Sequence, residues 1–302
     1  MLDTPGSPPR CDCCGGALAT RYQAQVPLTG EIFRIARCGQ CGLGHTLPQP
    51  EELSRYYGAQ YHGGRHGMTD RMCMARRLGF VGQVAAPGRL LDFGCGKGGF
   101  LGAARTAGWE VVGVDMNPEI ARAHGLTVVE RAEEVTGPFD IITLWHSLEH
   151  LRSPRHSLEE LLPLLRPGGH MVIAVPNWAS LQARAFGPNW FHLDPPWHLF
   201  HFTPTALTQL LTERGLQIVR RWNLEAEIDL FGWAQSALNL VLSHRNVLRD
   251  LLTGPGQPHA AGEVIASLVL GSLVTAVCAP VVPFAAAAGR GGIMIVAARR
   301  PG

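Results

Sequence analysis

The sequence predicts an α/β fold: a mostly parallel sheet flanked by helices, a cysteine-rich module before it and a hydrophobic helical insert before its last strand. Three observations carry this expectation. Short apolar runs alternate with helix-length segments from residue 89 onward, the βαβ pattern of a parallel sheet. Two C-x2-C pairs lie within residues 1–50. Residues 264–289 contain no charged side chain.

The expected strands are Arg89–Asp92, Glu110–Asp115, Leu126–Val129, Phe139–Leu144, His170–Val175, Leu216–Arg220 and Gly292–Ala298. Helices are expected at Gly99–Ala107, Pro118–His124, Pro154–Leu165 and Pro204–Arg214. Pro118 and Pro204 suit a first helical turn, where a missing N–H costs nothing. Gly108, Gly125 and Gly215 follow helix ends, where a left-handed cap is common. The domains expected are a zinc ribbon over 1–50, a helical linker or cofactor lid over 51–88, and a sheet domain over 89–302. The linker holds helical stretches at Glu51–Tyr57 and Arg65–Val84, and the sheet domain holds the insert at 228–288.

With 302 residues, 46% of them apolar and 17% charged, the chain can bury a full core and is not disordered. A net charge of +2 and a pI near 8.2 argue against a nucleic-acid partner. The cluster Arg71, Arg76 and Arg77 reads as a solvated helix face. Residues 1–9 lack the basic and apolar regions of a signal peptide, so a cytoplasmic location with reduced thiols is expected.

The most informative segment is Leu90-Leu91-Asp92-Phe93-Gly94-Cys95-Gly96-Lys97-Gly98-Gly99-Phe100. A strand ends at Asp92, a glycine-rich turn follows, then a helix. Gly94, Gly96 and Gly98 let backbone approach a ligand without Cβ clashes, and the turn presents the backbone N–H groups of residues such as Cys95. Asp115, with Met116 after it, ends the next strand, where a carboxylate can accept hydrogen bonds from ribose hydroxyls. A nucleotide-binding loop would fit this pattern too. Asp92 directly before the turn moves the choice, because it repels a pyrophosphate and favours a cofactor carrying positive charge.

These residues resemble the class I methyltransferases that depend on S-adenosylmethionine (SAM). Asp92 to Phe100 resembles the first motif and Val111–Asp115 the second. Phe139–Leu144 resembles the fourth strand, and Arg166-Pro167-Gly168-Gly169-His170 the turn before the fifth. The resemblance implies a Rossmann-like seven-stranded sheet and SAM as cofactor. Glu133 or Glu134 lies where an acidic residue often meets the adenine.

After the fourth strand comes Trp145-His146-Ser147-Leu148-Glu149-His150. On a helical turn His146 and His150 would share a face with Glu149 nearby. Such a group can take a proton, hold a cation or orient the loop. It resembles ubiquinone-type O-methyltransferases, where acidic residues and a Glu-His pair occur here, but His146 replaces the first acid. The segment Asn189–Phe202 concentrates aromatics with His192, His198 and His201. It resembles a segment of the Methyltransf_23-type group and reads as a substrate loop or a packed lid. The candidate base is His198 or His146.

Cys11, Cys14, Cys38 and Cys41 form C-x2-C pairs with the spacing of a structural Zn²⁺ site. Cys13 is a spare. The run Cys38–Leu43 also resembles the zinc module attached to many Methyltransf_23-type enzymes. The insert is long and apolar enough to span a membrane, but strands on both sides belong to one sheet, so it must return. It reads as a membrane-surface element, a dimer contact or a buried lid. The expected function is methyl transfer from SAM to a small-molecule or lipid- or sugar-linked acceptor, at oxygen. The competing readings are an rRNA base methyltransferase with a zinc module and a non-catalytic SAM-binding scaffold.

Overall fold

The computed structural model describes residues 9–26, 29–53, 56, 68–253 and 259–302. The chain forms two compact units, each built from three stretches. Residues 1–66, 176–206 and 223–294 make the cysteine unit; residues 67–175, 207–222 and 295–302 make the sheet unit. This division differs from the expected boundaries at residues 50 and 88.

In chain order the elements are β1 (Leu18–Gln25), β2 (Ile32–Cys38), β3 (Gly44–Leu47), α1 (Met68–Gly82), β4 (Arg89–Phe93), α2 (Gly99–Thr106), β5 (Glu110–Val114) and α3 (Glu119–Ala123). Then come β6 (Val128–Val129), β7 (Phe139–Trp145), α4 (Pro154–Leu161), β8 (Leu165–Pro176), α5 (Leu181–Phe186), β9 (Phe200–His201), α6 (Pro204–Thr212) and β10 (Gln217–Trp222). The last are α7 (Ala226–Val241), α8 (Val247–Thr253), α9 (Ala261–Cys278), α10 (Val281–Ala287) and β11 (Ile293–Arg299).

The seven-stranded sheet runs β10-β11-β8-β7-β4-β5-β6. Strand β4 pairs in parallel with β5 on one side and β7 on the other. The chain therefore grows outward from β4 in one direction and restarts in the other, which makes the carboxyl ends of β4 and β7 a topological switch point. Leu90, Leu91, Ile141, Ile142 and Leu144 are fully buried, as parallel strands covered on both faces require. Helix α2 turns Leu101 and Ala104 inward.

The sheet is the one expected, with small differences at element ends. Helix α4 stops at Leu161, four residues before the expected Leu165. A 3-10 turn spans Leu162–Leu164. Pro163 cannot donate an amide hydrogen to the helix, and Leu165 already pairs with Phe139. Of the linker helices, residues 54, 55 and 57–67 lie outside the described residues, and 51–53 form no α-helix.

In the cysteine unit β1-β2-β3-β9 form an antiparallel sheet. Strand β3 pairs with β9 through Gly44 and His201. Ala24 and Ile35 share a core with Trp178, Ala183, Trp190 and Leu193. The cysteine module is thus continuous with residues 176–206 rather than a detached ribbon. The insert is helical as expected. Strands β10 and β11 pair antiparallel, so the chain between them leaves and regains one sheet edge and cannot cross a membrane once. Ala234, Leu238 and Leu248 form its core, with Val274 of α9 packed against them.

Candidate functional site

The glycine turn of the sheet unit stands at the switch point. Its backbone amides are drawn toward β5: Gly94 N and Cys95 N donate to the Val114 carbonyl at 2.7 and 3.1 Å. Gly94, Gly96 and Gly98 all have positive φ, at 77°, 53° and 79°, conformations that other residues reach only with strain. Space matters as well. A Cβ on Gly94 would stand 2.5 Å from the Ser147 Cβ, and one on Gly98 2.4 Å from Leu126 Cδ1. Gly98 is also the left-handed N-cap of α2.

Two carboxylates bracket this turn. Asp92 is almost fully buried, and its Oδ1 accepts from Thr143 Oγ1 at 2.7 Å. Burial pushes its carboxyl up to about 7, against the opposing pull of the Thr143 hydroxyl and the Arg77 charge. Asp115 is half-buried. Its Oδ2 accepts from Gly96 N at 2.7 Å and its Oδ1 from Asn117 N at 2.9 Å, so it ties the turn to the end of β5. Met116 follows it and is exposed. The Cys95 thiol is buried and held well above its usual range by desolvation and then by the two nearby carboxylates, so it is an inert thiol; its N–H already donates to the Val114 carbonyl.

Arg77, expected on a solvated face, instead lies over the Trp145 ring at 5.0 Å and acts electrostatically on Asp92. Phe100 meets the same indole edge to face at 5.3 Å. Arg71 on the same helix is exposed as expected, whereas Arg76 and Arg77 are half-buried; a helix pattern alone does not say which of its faces is covered. Thr143 was also passed over, although it is the polar residue inside an otherwise apolar strand interior, Ile141–Leu144.

The candidate proton-transfer residues divide between the units. His146 does not start a helical turn with His150, as the spacing suggested; a 3-10 turn begins only at Leu148. His146 instead has φ 53°, and its backbone N–H bonds the Ala174 carbonyl at 3.0 Å. Its Nδ1 lies 3.7 Å from Oε1 of the buried Glu149. His150 is half-buried, with its backbone N–H on the Ser147 carbonyl. His198 belongs to the cysteine unit. Its Nδ1 faces the His192 carbonyl at 2.8 Å, so that nitrogen carries the proton and Nε2 is the basic one. His201 is fully desolvated, which holds its imidazole well below the usual histidine range, and Thr46 Oγ1 lies 3.0 Å from its Nε2. It and His45, lowered to about 4 by burial, are neutral packing residues. Glu133 pairs with Arg131 at 3.0 Å, and Glu134 accepts from Arg131 N at 3.0 Å; both acids close a short turn.

In the cysteine unit, Cys11, Cys14, Cys38 and Cys41 bring four Sγ atoms within 4.8 Å of one another. The pairs Cys11–Cys41 and Cys14–Cys38 stand at 3.4 Å and are not disulfides. A tetrahedral Zn²⁺ with four thiolates wants sulfurs roughly 3.8 Å apart, so this donor set fits the ion.

Several known proteins are similar to this chain. The chain is 32% identical over 118 residues to a ubiquinone biosynthesis O-methyltransferase of Cronobacter sakazakii, covering 33% of this chain and 49% of that protein. It is 35% identical over 117 residues to the protein of the same name in Xanthomonas campestris pv. campestris, again over 33% and 49%. The chain thus spans about half the length of these curated relatives. Among solved structures, a SAM-dependent methyltransferase from Archaeoglobus fulgidus aligns at TM-score 0.47 and 19% identity, over 82% of this chain and all of that one. One from Mesorhizobium loti aligns at 0.45 and 16%, over 78% and 99%. Residues 65–221 match the family model described as a methyltransferase domain, Methyltransf_23. With the seven-stranded sheet and its glycine turn in place, the chain belongs to that family of class I methyltransferases.

Proposed function

We propose that this chain transfers the methyl group of SAM to an oxygen of a small-molecule or lipid-linked acceptor. The supporting observation is Asp92, a buried carboxylate beneath a glycine turn that Asp115 closes from the next strand. Two acids at the switch point favour a cationic cofactor and disfavour a pyrophosphate. Asp92, Asp115, Met116 and the close-approaching backbone of Gly94, Cys95, Gly96 and Gly98 are the residues to hold it. When bound, SAM supplies an already activated methyl on a sulfonium. The chain's own work is to align the acceptor, exclude water and accept a proton. His146 suits the proton, with Glu149 beside it to steady the imidazolium and His150 in the same turn; His198 is the alternative. The choice of oxygen is supported by the names of the relatives and by these bases.

Cys11, Cys14, Cys38 and Cys41 hold a structural Zn²⁺ in this reading, since thiolates fill every position and leave none for a substrate. The insert contacts a bilayer surface. Its support is α9, whose mean hydropathy of 1.9 comes with only 11% of that stretch buried. Ile265, Leu268, Val269, Leu273 and Val277 are exposed on it. The protein is accordingly cytoplasmic and peripheral to the inner membrane face.

Calorimetry with SAM, followed by transfer of labelled methyl to catechol- and phenol-bearing acceptors, tests this function. Saturable SAM binding and label in an ether product are expected. Zinc-replete protein that binds no SAM would end the reading. For the insert, flotation with vesicles opposes sedimentation of the protein alone: dimerisation without flotation replaces the bilayer with a second copy.

A further inference from the structure

Far along the sequence from each other, four arginines converge on one cavity of the cysteine unit. The cavity has a volume of about 340 Å³, at the lower end of the range for small-ligand sites. Arg21 comes from β1, Arg37 from β2, Arg184 from α5 and Arg290 from the loop before β11, and all four line it. Trp178 and Tyr22 form an aromatic wall, their rings edge to face at 6.4 Å and 78°.

The charges here are not compensated. Some arginines elsewhere pair with acids, as in Arg89–Glu110 at 3.0 Å, Arg166–Asp140 at 2.6 Å and Arg214–Glu159 at 2.8 Å. Among the described residues, no carboxylate lies in ion-pair reach of Arg21, Arg37, Arg184 or Arg290, and no carboxylate lines the cavity. Four like-charged residues lining one small space repel each other. Folding alone gains nothing from that arrangement, and a polyanion would relieve it.

Local structure also builds the site. The register of β1 against β2 shifts between Thr20 and Tyr22. Arg21 is the extra residue of that bulge, a device that re-aims a side chain. Its Nε donates to Tyr22 Oη at 3.1 Å. Gly42, at φ 78°, leaves room for Arg37: a Cβ there would be 3.4 Å from the guanidinium Nη2. The loop of Arg290 is pinned to the start of α5 by Leu181 N on the Arg290 carbonyl at 3.1 Å. Buried Asn177 adds a bond from its Nδ2 to the Gly291 carbonyl at 3.0 Å. These ties fix the positions of the backbones that carry Arg184 and Arg290.

From this geometry we infer that the cavity binds the diphosphate group of a ligand, either soluble or carried on a lipid. Guanidinium forks match phosphate oxygens two at a time. Four of them suit two linked phosphates better than one carboxylate. The inference goes beyond methyl transfer and does not depend on it.

Calorimetry of the full chain with inorganic pyrophosphate, without SAM or acceptor, tests the site. Saturable binding at least tenfold tighter than sulfate is expected. Arg37→Gln and Arg184→Gln, made separately at exposed positions, each weaken it at least tenfold, with zinc content and SAM affinity unchanged as the check on folding. Capture on phosphatidylcholine vesicles doped with a polyprenyl diphosphate, above capture on undoped ones and reversed by pyrophosphate, identifies a lipid-borne ligand. Pyrophosphate binding without such capture identifies a soluble one. Pyrophosphate no tighter than sulfate, or affinity unchanged in both variants, overturns the proposal.

Discussion

The glycine turn of the sheet unit and the arginine cavity of the cysteine unit are opposites in charge. One gathers Asp92 and Asp115 at the ends of two parallel strands; the other gathers Arg21, Arg37, Arg184 and Arg290 from four separate elements. Their surroundings differ too. Asp92 is buried and leans on Thr143 for its hydrogen bond, whereas the arginines are exposed. Each concentrates charge of one sign, only partly offset at Asp92 by Arg77, and that sign points to the ligand class: cationic in the first case, anionic in the second. Buried charge is the costlier of the two, so the acidic site carries the stronger commitment.

The comparison can be broken most forcefully at the cysteines. Structural zinc contributes about 10–16 kcal/mol of binding to small metal domains. Cys14→Ser should therefore release the ion and abolish pyrophosphate binding, because Arg37 and Gly42 flank the second cysteine pair in sequence. Metal analysis with calorimetry checks this; retained zinc at full stoichiometry would contradict it. Asp92→Asn acts on the other side. Losing a charge-assisted hydrogen bond costs about 1.5–3 kcal/mol, so SAM affinity should fall roughly 10–100-fold while zinc and pyrophosphate binding stay as they were.

Smaller effects sharpen the contrast. Gly94→Ala must strain a backbone at φ 77° and push on Ser147, a cost of about 1–3 kcal/mol readable by denaturant unfolding. Acidity separates function from stability at Asp92. Its carboxyl is raised to about 7 in the folded chain from 3.8. Its contribution to stability is then complete below the lower value and lost as pH rises through 7. SAM binding needs the carboxylate and runs the other way, weakening about tenfold between pH 8 and 6. Asp92→Asn should flatten both trends; a wild-type affinity that does not change over this range would show that Asp92 is ionised throughout.

The sheet was legible because each βαβ unit repeats a local pattern. Runs such as Leu90–Leu91 and Ile141–Ile142 are apolar and lead into the carboxyl ends of β4 and β7. The glycine turn was legible for the same reason, since its residues are consecutive. The left-handed backbone of His146 was not, because spacing alone implied a helical face. The joining of the cysteine module to residues 176–206 rests on a two-residue strand, Phe200–His201, too short for any periodicity. The arginine cavity escaped entirely. Its members stand in four distant segments, and only the sheet register and the pinned Arg290 loop bring them together.

The interleaving of the two units bears on how the protein is made. Many multidomain chains complete one domain before the next leaves the ribosome. Here the cysteine unit waits for residues up to 294 and the sheet unit for residues up to 302. Strand β8 lacks its neighbour β11 until then. Buried Asp229, which accepts from Gly292 N at 2.5 Å, also waits. A nascent chain paused before Gly292 thus leaves the β8 edge of the sheet open until β11 arrives.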